Sequence, residues 1–462
     1  MLALDIRPGE HVGIWATNLP QWLLLQYGAA TAGIVLVTIN PAYRPFELVY
    51  TIEQSDIVAL FLTDEFKSSN YYAIFQEACP QIETARHGAV KCPSFPKLRH
   101  AVALKPDAPE GYLAWEEMIA SGRSVSDERL DAIAATLNAA DAINIQYTSG
   151  TTGFPKAAML SHRNILMNGW YVTGCQNITD ADRMCIPVPF YHCFGCVMGS
   201  LGAVTRGAAM IIPKEHFCPK ATLDAIENER CTTLYGVPTM FVAMLDWPDV
   251  AARDLVSLRS GIMAGSPCPI EVMKKVIDVL GCRDITIAYG QTETSPVSDA
   301  KPRRPTPSNC ASRPSAASSP ASRWKFATPD TYEKCADGVQ GELCARGHGA
   351  MIGYYKNPEA TRETIDREGW VHTGDLAIRR PDGNFRITGR LKDMVIRGGE
   401  NIYPREIEEF LFTHQAVAQA AVFGVPDPQI RRGARRLGAA QARRLGQRGG
   451  DTRLLQEIPR PL

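Results

Sequence analysis

The chain has 462 residues, 45% hydrophobic and 21% charged, with Lys plus Arg equal to Asp plus Glu at 49 each. That length and apolar content predict a large buried core divided among more than one domain, and the balanced charge excludes an overall field that would make nucleic acid or an anionic membrane the main partner. The 13 cysteines are scattered through apolar segments, which points to a reducing compartment rather than a disulfide scaffold.

In chain order, residues 11–16 (HVGIWA), 34–39 (IVLVTI) and 57–62 (IVALFL) read as short strands, separated by helical patterns in QWLLLQYGAATAG and RPFELVYTIEQSD. The alternation is β-α-β-α-β, and such near-continuous apolar runs belong to parallel strands buried on both faces. The opening residues hold Asp5 and Glu10 and no Arg-rich amphipathic start, so they read as the interior of a fold rather than a signal peptide or presequence. Alternation resumes after residue 140 with INIQY, MCIPVP, AAMIIP, TTLYGV, RSGIMAG and DITIAYG, several of them ending in Gly, Thr or Ser loops. The predicted fold class is therefore α/β, a large N-terminal domain of wound sheets with flanking helices. From near Leu391 a small α+β domain follows, with a helix at PREIEEFLFTH and a strand at AQAAVFGV.

In open sheets of this kind ligands sit beyond the carboxyl ends of the strands, so the loops there are where chemistry is to be sought. No apolar run nears the ~20 residues that span a bilayer; the stretch from Cys193 to Ile212 is glycine-rich and broken by Arg206. Cys193 and Cys196 form a C-x-x-C beside His192, but no second Cys/His pair follows at zinc spacing, and packing is the better reading.

After INIQY comes Thr148, Ser149, Gly150, Thr151, Thr152, Gly153, Phe154, Pro155 and Lys156. Glycines let backbone N–H groups approach phosphate oxygens, the hydroxyls add donors and the lysine supplies a point charge. The loop is suited to phosphate without being a Walker loop, because G-x-x-x-x-G-K-[ST] does not occur.

That loop, in YTSGTTGFPKAAMLSHRNI, resembles the signature of the adenylate-forming superfamily of acyl-CoA synthetases, luciferases and peptide-synthetase adenylation domains. In the same order follow PFYHCFG, AGSPCP, AYGQTETSP, GELCARGHGAMIGYYKNPEAT, GWVHTGDLA and FRITGRLKDMVIRGGENIYPREIEE. The likeness is greatest to the medium-chain acyl-CoA ligase branch. It implies an acid–thiol ligase that uses ATP, Mg²⁺ and coenzyme A to activate a medium-chain fatty acid, with no nucleic acid partner. Glu293 then matches the Mg²⁺ ligand, a hard oxygen donor, and Thr292 the donor to an α-phosphate oxygen. Asp375 matches the acceptor of both ribose hydroxyls and Arg390 its basic companion, although outside these motifs either would read as an ordinary loop charge. Tyr289 and Gly290 lie where the family stacks adenine and lines its edge, with Gly265 and Ser266 in the opposite wall. His192 matches a position near the carboxylate and acyl tunnel; a half-buried packing histidine is its plain alternative. Lys392 matches the hinge about which the small domain rotates between half-reactions.

Three departures from the family stand out. The chain starts inside the fold, short of the family's first β-α unit and of any leader. The resemblance implies the mitochondrial matrix, whereas a leaderless chain is expected in the cytosol. Residues 301–322 hold five Pro and six Ser and no acid, an atypical insert within the large domain of 1–390. The small domain follows the family over 391–429 and gives way at 430–462 to a tail with nine Arg, two acids and no Lys. The abrupt change suggests a shifted reading frame, and the tail lacks the interleaved aromatics of a nucleic-acid arm. It also replaces the family's final lysine motif, so the expectation is a ligase impaired in adenylation, or a nucleotide- or acyl-binding remnant.

Overall fold

The computed structural model describes residues 1–148, 155–300, 323–329, 331–381, 385–397 and 400–402, with short stretches between 404 and 437. The insert 301–322 and most of the predicted helix and strand beyond 404 lie outside the described residues.

The opening alternation is present as β1 (His11–Trp15), β2 (Val35–Thr38) and β3 (Ile57–Leu62), joined by helices Pro20–Thr31 and Pro45–Gln54. A small ribbon, β4 (Glu65–Phe66) and β5 (Ser69–Asn70), precedes β6 (His100–Ala103) and β7 (Leu113–Ala114); β8 (Ala142–Thr148) and β9 (Lys156–Ser161) form a hairpin. A second set comprises β10 (Arg183–Cys185), β11 (Ala209–Ile211), β12 (Thr233–Gly236), β13 (Ser260–Ala264), β14 (Asp284–Gly290) and β15 (Val297–Ala300). Then come β16 (Arg323–Ala327), β17 (Gln340–Arg346), β18 (Gly353–Tyr354), β19 (Val371–Arg379) and β20 (Phe385–Arg390).

These strands make an eight-stranded sheet in the order β18-β9-β8-β2-β1-β3-β6-β7, a six-stranded sheet β11-β10-β12-β13-β14-β15, and an antiparallel sheet β16-β17-β19-β20. In the first two, the inner pairings are parallel and antiparallel strands close only the β9–β18 edge and the β15 edge. The large sheet-rich domain is thus the predicted α/β class.

Side-chain alternation explains why both faces of each strand are apolar. Leu36 enters a central core that it shares with Ile186, Tyr235 and Ile262 of the second sheet, whereas Val35 and Val37 enter an outer core with Phe75 and Tyr71. In the same way Ile262 faces inward and Met263 faces an outer core with Phe241 and Val276. MCIPVP is strand only over its first two residues, within β10 (Arg183–Cys185). Ile186 N–H still reaches Ile211 O at 2.9 Å, but Pro187 brings no N–H and ends the ladder.

The two large sheets are tied where β1 ends. Asn18, 4% exposed, donates from Nδ2 to Val188 O at 2.9 Å and accepts Phe190 N–H on Oδ1 at 2.8 Å, which fixes the segment leading to His192. Each backbone group there is costly to leave unpaired. Asn18→Ala is therefore expected to lower unfolding stability by about 2–3 kcal/mol, read as a shifted urea midpoint at unchanged slope; a shift near zero would show that water replaces the amide.

Candidate active site

The site is organised by a fold-back at the carboxyl end of β14. After Gly290 the chain makes a short turn, Thr292–Thr294, passes Ser295 in the left-handed region at φ 69°, and returns as β15. A Cβ on Gly290 would lie 1.8 Å from Pro296 O, so only glycine permits this closure. The turn is held from outside by helix His162–Cys175, which follows β9 directly. Asn168 donates to Thr294 O and Val297 O at 3.3 and 2.7 Å and accepts Val297 N–H at 3.3 Å. Asn164, one turn earlier on the same helix face, donates to Ala350 O at 3.0 Å and shares a capping box with Ser161.

Around this scaffold the sequence-predicted residues fall into two groups. In the first, Glu293 is buried and its Oε1 accepts the Tyr354 hydroxyl at 2.7 Å. Lys156 Nζ lies 5.0 Å from the centroid of the same Tyr354 ring, so a carboxylate and an ammonium flank one phenol. Lys156 pairs with Thr148 across the β8–β9 ladder; Ser149, Gly150, Thr151, Thr152 and Gly153 lie outside the described residues. Thr292 is buried beside the Cys193 sulfur.

In the second group Asp375 is the hub. The β19–β20 register sets it opposite Arg390, whose Nε donates to Oδ1 at 3.0 Å, while the Tyr289 hydroxyl donates to Oδ2 at 2.7 Å. Burial and the Asp375 charge push the Tyr289 phenol well above its ordinary pKa, so it stays a donor. Its ring packs against Trp324 and Phe385, at centroid distances of 6.4 and 6.1 Å. Gly265, at φ 86°, and Ser266 are exposed just past β13, whose Ala264 pairs with Ala288 of β14.

His192 is accessible to solvent yet ringed by protein, and desolvation lowers its pKa. Its Nδ1 accepts Phe194 N–H at 3.1 Å, which leaves the proton of the neutral ring on Nε2. The following segment, Phe194–Leu201, is a buried π-helix, a form that recurs at functional sites. Cys193 donates to Gln146 Oε1 at 2.9 Å, and Gln146 Nε2 lies 3.1 Å from the Cys196 sulfur. Burial raises both thiols, that of Cys196 to about 12, so this C-x-x-C is packed and neutral. Lys392 is exposed in the turn after β20, where Leu391 N–H bonds Gly374 O at 2.9 Å.

The sequence pattern of the AMP-binding enzyme family matches residues 1–355, and that of the AMP-binding enzyme C-terminal domain matches 406–443. The chain belongs to the AMP-binding enzyme family. It is 47% identical over 436 residues to YngI of Bacillus subtilis (strain 168), whose name assigns it provisionally to the acyl-CoA synthetases; the match covers 93% of this chain and 78% of YngI. It is 40% identical over 439 residues to the mitochondrial medium-chain acyl-CoA ligase ACSF2 of Danio rerio, covering 93% of this chain and 71% of that one. Among solved structures, ATP-bound MatB from Rhodopseudomonas palustris superposes with a TM-score of 0.75 at 26% identity, covering 93% of this chain and 78% of MatB.

Sequence reasoning named the residues of both groups but missed what holds them: Asn164, Asn168 and Tyr354. Asn164 and Tyr354 sit inside the motifs singled out above and Asn168 lies three residues past one of them, yet their partners are up to 186 positions away. The fold-back predicts a ranking of glycines. Gly290→Ala drives a Cβ into a backbone carbonyl, whereas at Gly265 the nearest contact is Val237 Cγ1 at 3.1 Å and the cost is mainly left-handed strain, about 1–2 kcal/mol. Urea unfolding should show the larger loss for Gly290→Ala; equal losses would mean that the turn reopens without penalty.

Proposed function

We propose that the chain is an AMP-forming acid–thiol ligase acting on medium-chain fatty acids. A substrate carboxylate oxygen attacks the α-phosphorus of ATP and pyrophosphate leaves; the coenzyme A thiol then attacks the acyl carbonyl and AMP leaves. The observation that carries this reading is the arrangement along residues 289–293. One end of that segment meets an anionic acceptor, Asp375, framed by Tyr289 and Arg390. The other meets Lys156, Tyr354 and Glu293. A ribose acceptor and a phosphate-side charge pair a few residues apart match the two ends of a nucleotide.

In this reading Asp375 accepts the ribose hydroxyls, Thr292 donates to the α-phosphate and Lys156 supplies positive charge to the phosphates. Adenine is placed between the Tyr289–Gly290 and Gly265–Ser266 segments. Glu293 fits a hard cation: Tyr354 occupies one carboxylate oxygen, and the other remains an oxygen donor of the kind Mg²⁺ takes. Bound Mg²⁺ would neutralise charge on the leaving pyrophosphate. His192 Nε2–H is the donor for the substrate carboxylate, beside the buried apolar surface of Phe190 and Phe194, which suits an acyl chain. The names of the vertebrate relatives support medium-chain acids and, for a eukaryotic source, a mitochondrial location, within which we place the chain in the matrix.

Residues 1–390 form the nucleotide- and acyl-binding domain in this scheme, 391–429 the small domain that turns about Lys392, and 430–462 an atypical tail. The arginine-rich segment 430–462 stands where the resemblance implies the family's final lysine motif and holds no lysine, which supports a slowed first half-reaction and keeps a second reading, a remnant that binds nucleotide without turnover. The deciding measurement is pyrophosphate release with Mg-ATP and octanoate, beside a chain whose tail is replaced by a family-type tail carrying the terminal lysine. Release that rises at least 100-fold in the repaired chain and falls by a similar factor on Glu293→Gln fits an impaired ligase. ATP binding without release in either tail form fits the remnant, and absence of ATP binding rules out both.

A further inference from the structure

Asp375 lies in the first half of β19, where the pairing with β17 shifts register between Glu342 and Cys344, and this irregular stretch, His372 to Asp375, is docked on β17 by polar contacts outside the site described so far. Gly374 takes a left-handed φ of 70° with nothing within 4 Å of its absent Cβ, so sterics alone do not hold it. Its N–H donates instead to Glu342 Oε1 at 2.9 Å. Glu342 is 4% exposed, and its Oε2 lies 2.8 Å from His372 Nδ1, while His372 Nε2 is 3.4 Å from Asp366 Oδ2. Thr373 completes the docking, donating to Leu343 O at 2.6 Å and accepting Asp375 N–H at 3.1 Å.

His372 therefore has a carboxylate at each ring nitrogen. Cys344 Sγ lies 3.6 Å from Nδ1 and the Tyr332 ring stands edge-on at 4.7 Å. Hydrogen bonding to Cys344 and Glu342 pushes the imidazole up to about 10 against the opposing effect of burial, so it is a cation at neutral pH. Without the bond from His372 to its Oε2 the Glu342 carboxylate can turn away from the Gly374 N–H, and a glycine released from that bond has the widest backbone freedom of any residue.

We propose that His372 is a positioning residue for nucleotide ribose: bridging Glu342 and Asp366, it holds the Glu342 carboxylate where it pins the Gly374 N–H and so fixes the aim of the Asp375 carboxylate. The inference rests on Asp375 being the ribose acceptor. It predicts that loss of the cation weakens recognition of the ribose hydroxyls and leaves contacts to base and phosphates in place.

Calorimetric titration of the full chain with ATP and with 2′,3′-dideoxy-ATP separates these contributions. The native chain should prefer ATP by roughly tenfold or more, the worth of hydrogen bonds to a charged acceptor. In His372→Gln that preference should fall to within about twofold while dideoxy-ATP affinity changes little, since the lost contacts are to hydroxyls it lacks. Asp366→Asn removes only the outer carboxylate and should move the preference the same way by less; it carries the test if His372→Gln shows no cooperative urea transition. Equal loss of both affinities, or an unchanged preference in both variants, overturns the inference. A native chain that binds both nucleotides equally, or neither, overturns the reading of Asp375 itself and this inference with it.

Discussion

The contact between the Gly290 backbone and the Pro296 carbonyl is the constraint on which the site depends. Because no side chain fits between them, β14 can reverse into β15 within a few residues, and the reversal brings Tyr289 to one side and Glu293 to the other. A longer connection would separate the two groups by flexible chain, and Asp375 and Lys156 would no longer address opposite ends of one segment. Asn168 completes the constraint by bonding both limbs of the reversal, so the turn is fixed by its own closure and by an independent helix.

From that point the polar groups form two chains of contacts that share only backbone. Lys156, Tyr354 and Glu293 are linked through a phenol; Arg390, Asp375 and Tyr289 are linked through a carboxylate. Every charge has a neighbour that orients it, and side chains held before a ligand arrives lose less freedom on binding. His192 is held by a different device, a backbone N–H donated into its ring, at the entry to a π-helix whose interior is apolar.

How much of this was legible depended on how local the information was. The strands 57–62 and 284–290 were readable to the residue because apolar β-branched runs ended in turn residues. The 184–189 run was overread because its prolines are apolar in composition but end the ladder in geometry. Contiguous motifs disclosed Thr292, Glu293, Asp375 and Arg390, whereas Asn18 meets its partners 170 or more positions away and a buried asparagine leaves no periodic trace. The π-helix was hidden for a related reason: its residues are uniformly apolar or small, and periodicity cannot separate a wider helical pitch from an ordinary one. Tyr289 offered an aromatic ring to the sequence reading, but its hydroxyl on Asp375 follows only from how β19 is set beside β14.

Helix His162–Cys175 has a further consequence. Its two asparagines grip different loops, one the reversal after β14 and the other the segment ahead of β18, and its first turn is covalently continuous with the strand that carries Lys156. The helix is therefore a common support for three parts of the site, so a change in its position is felt by all of them. Packing changes on its buried face, at Ile165, Gly169 or Val172, would shift these supports together while touching none of the polar groups they hold.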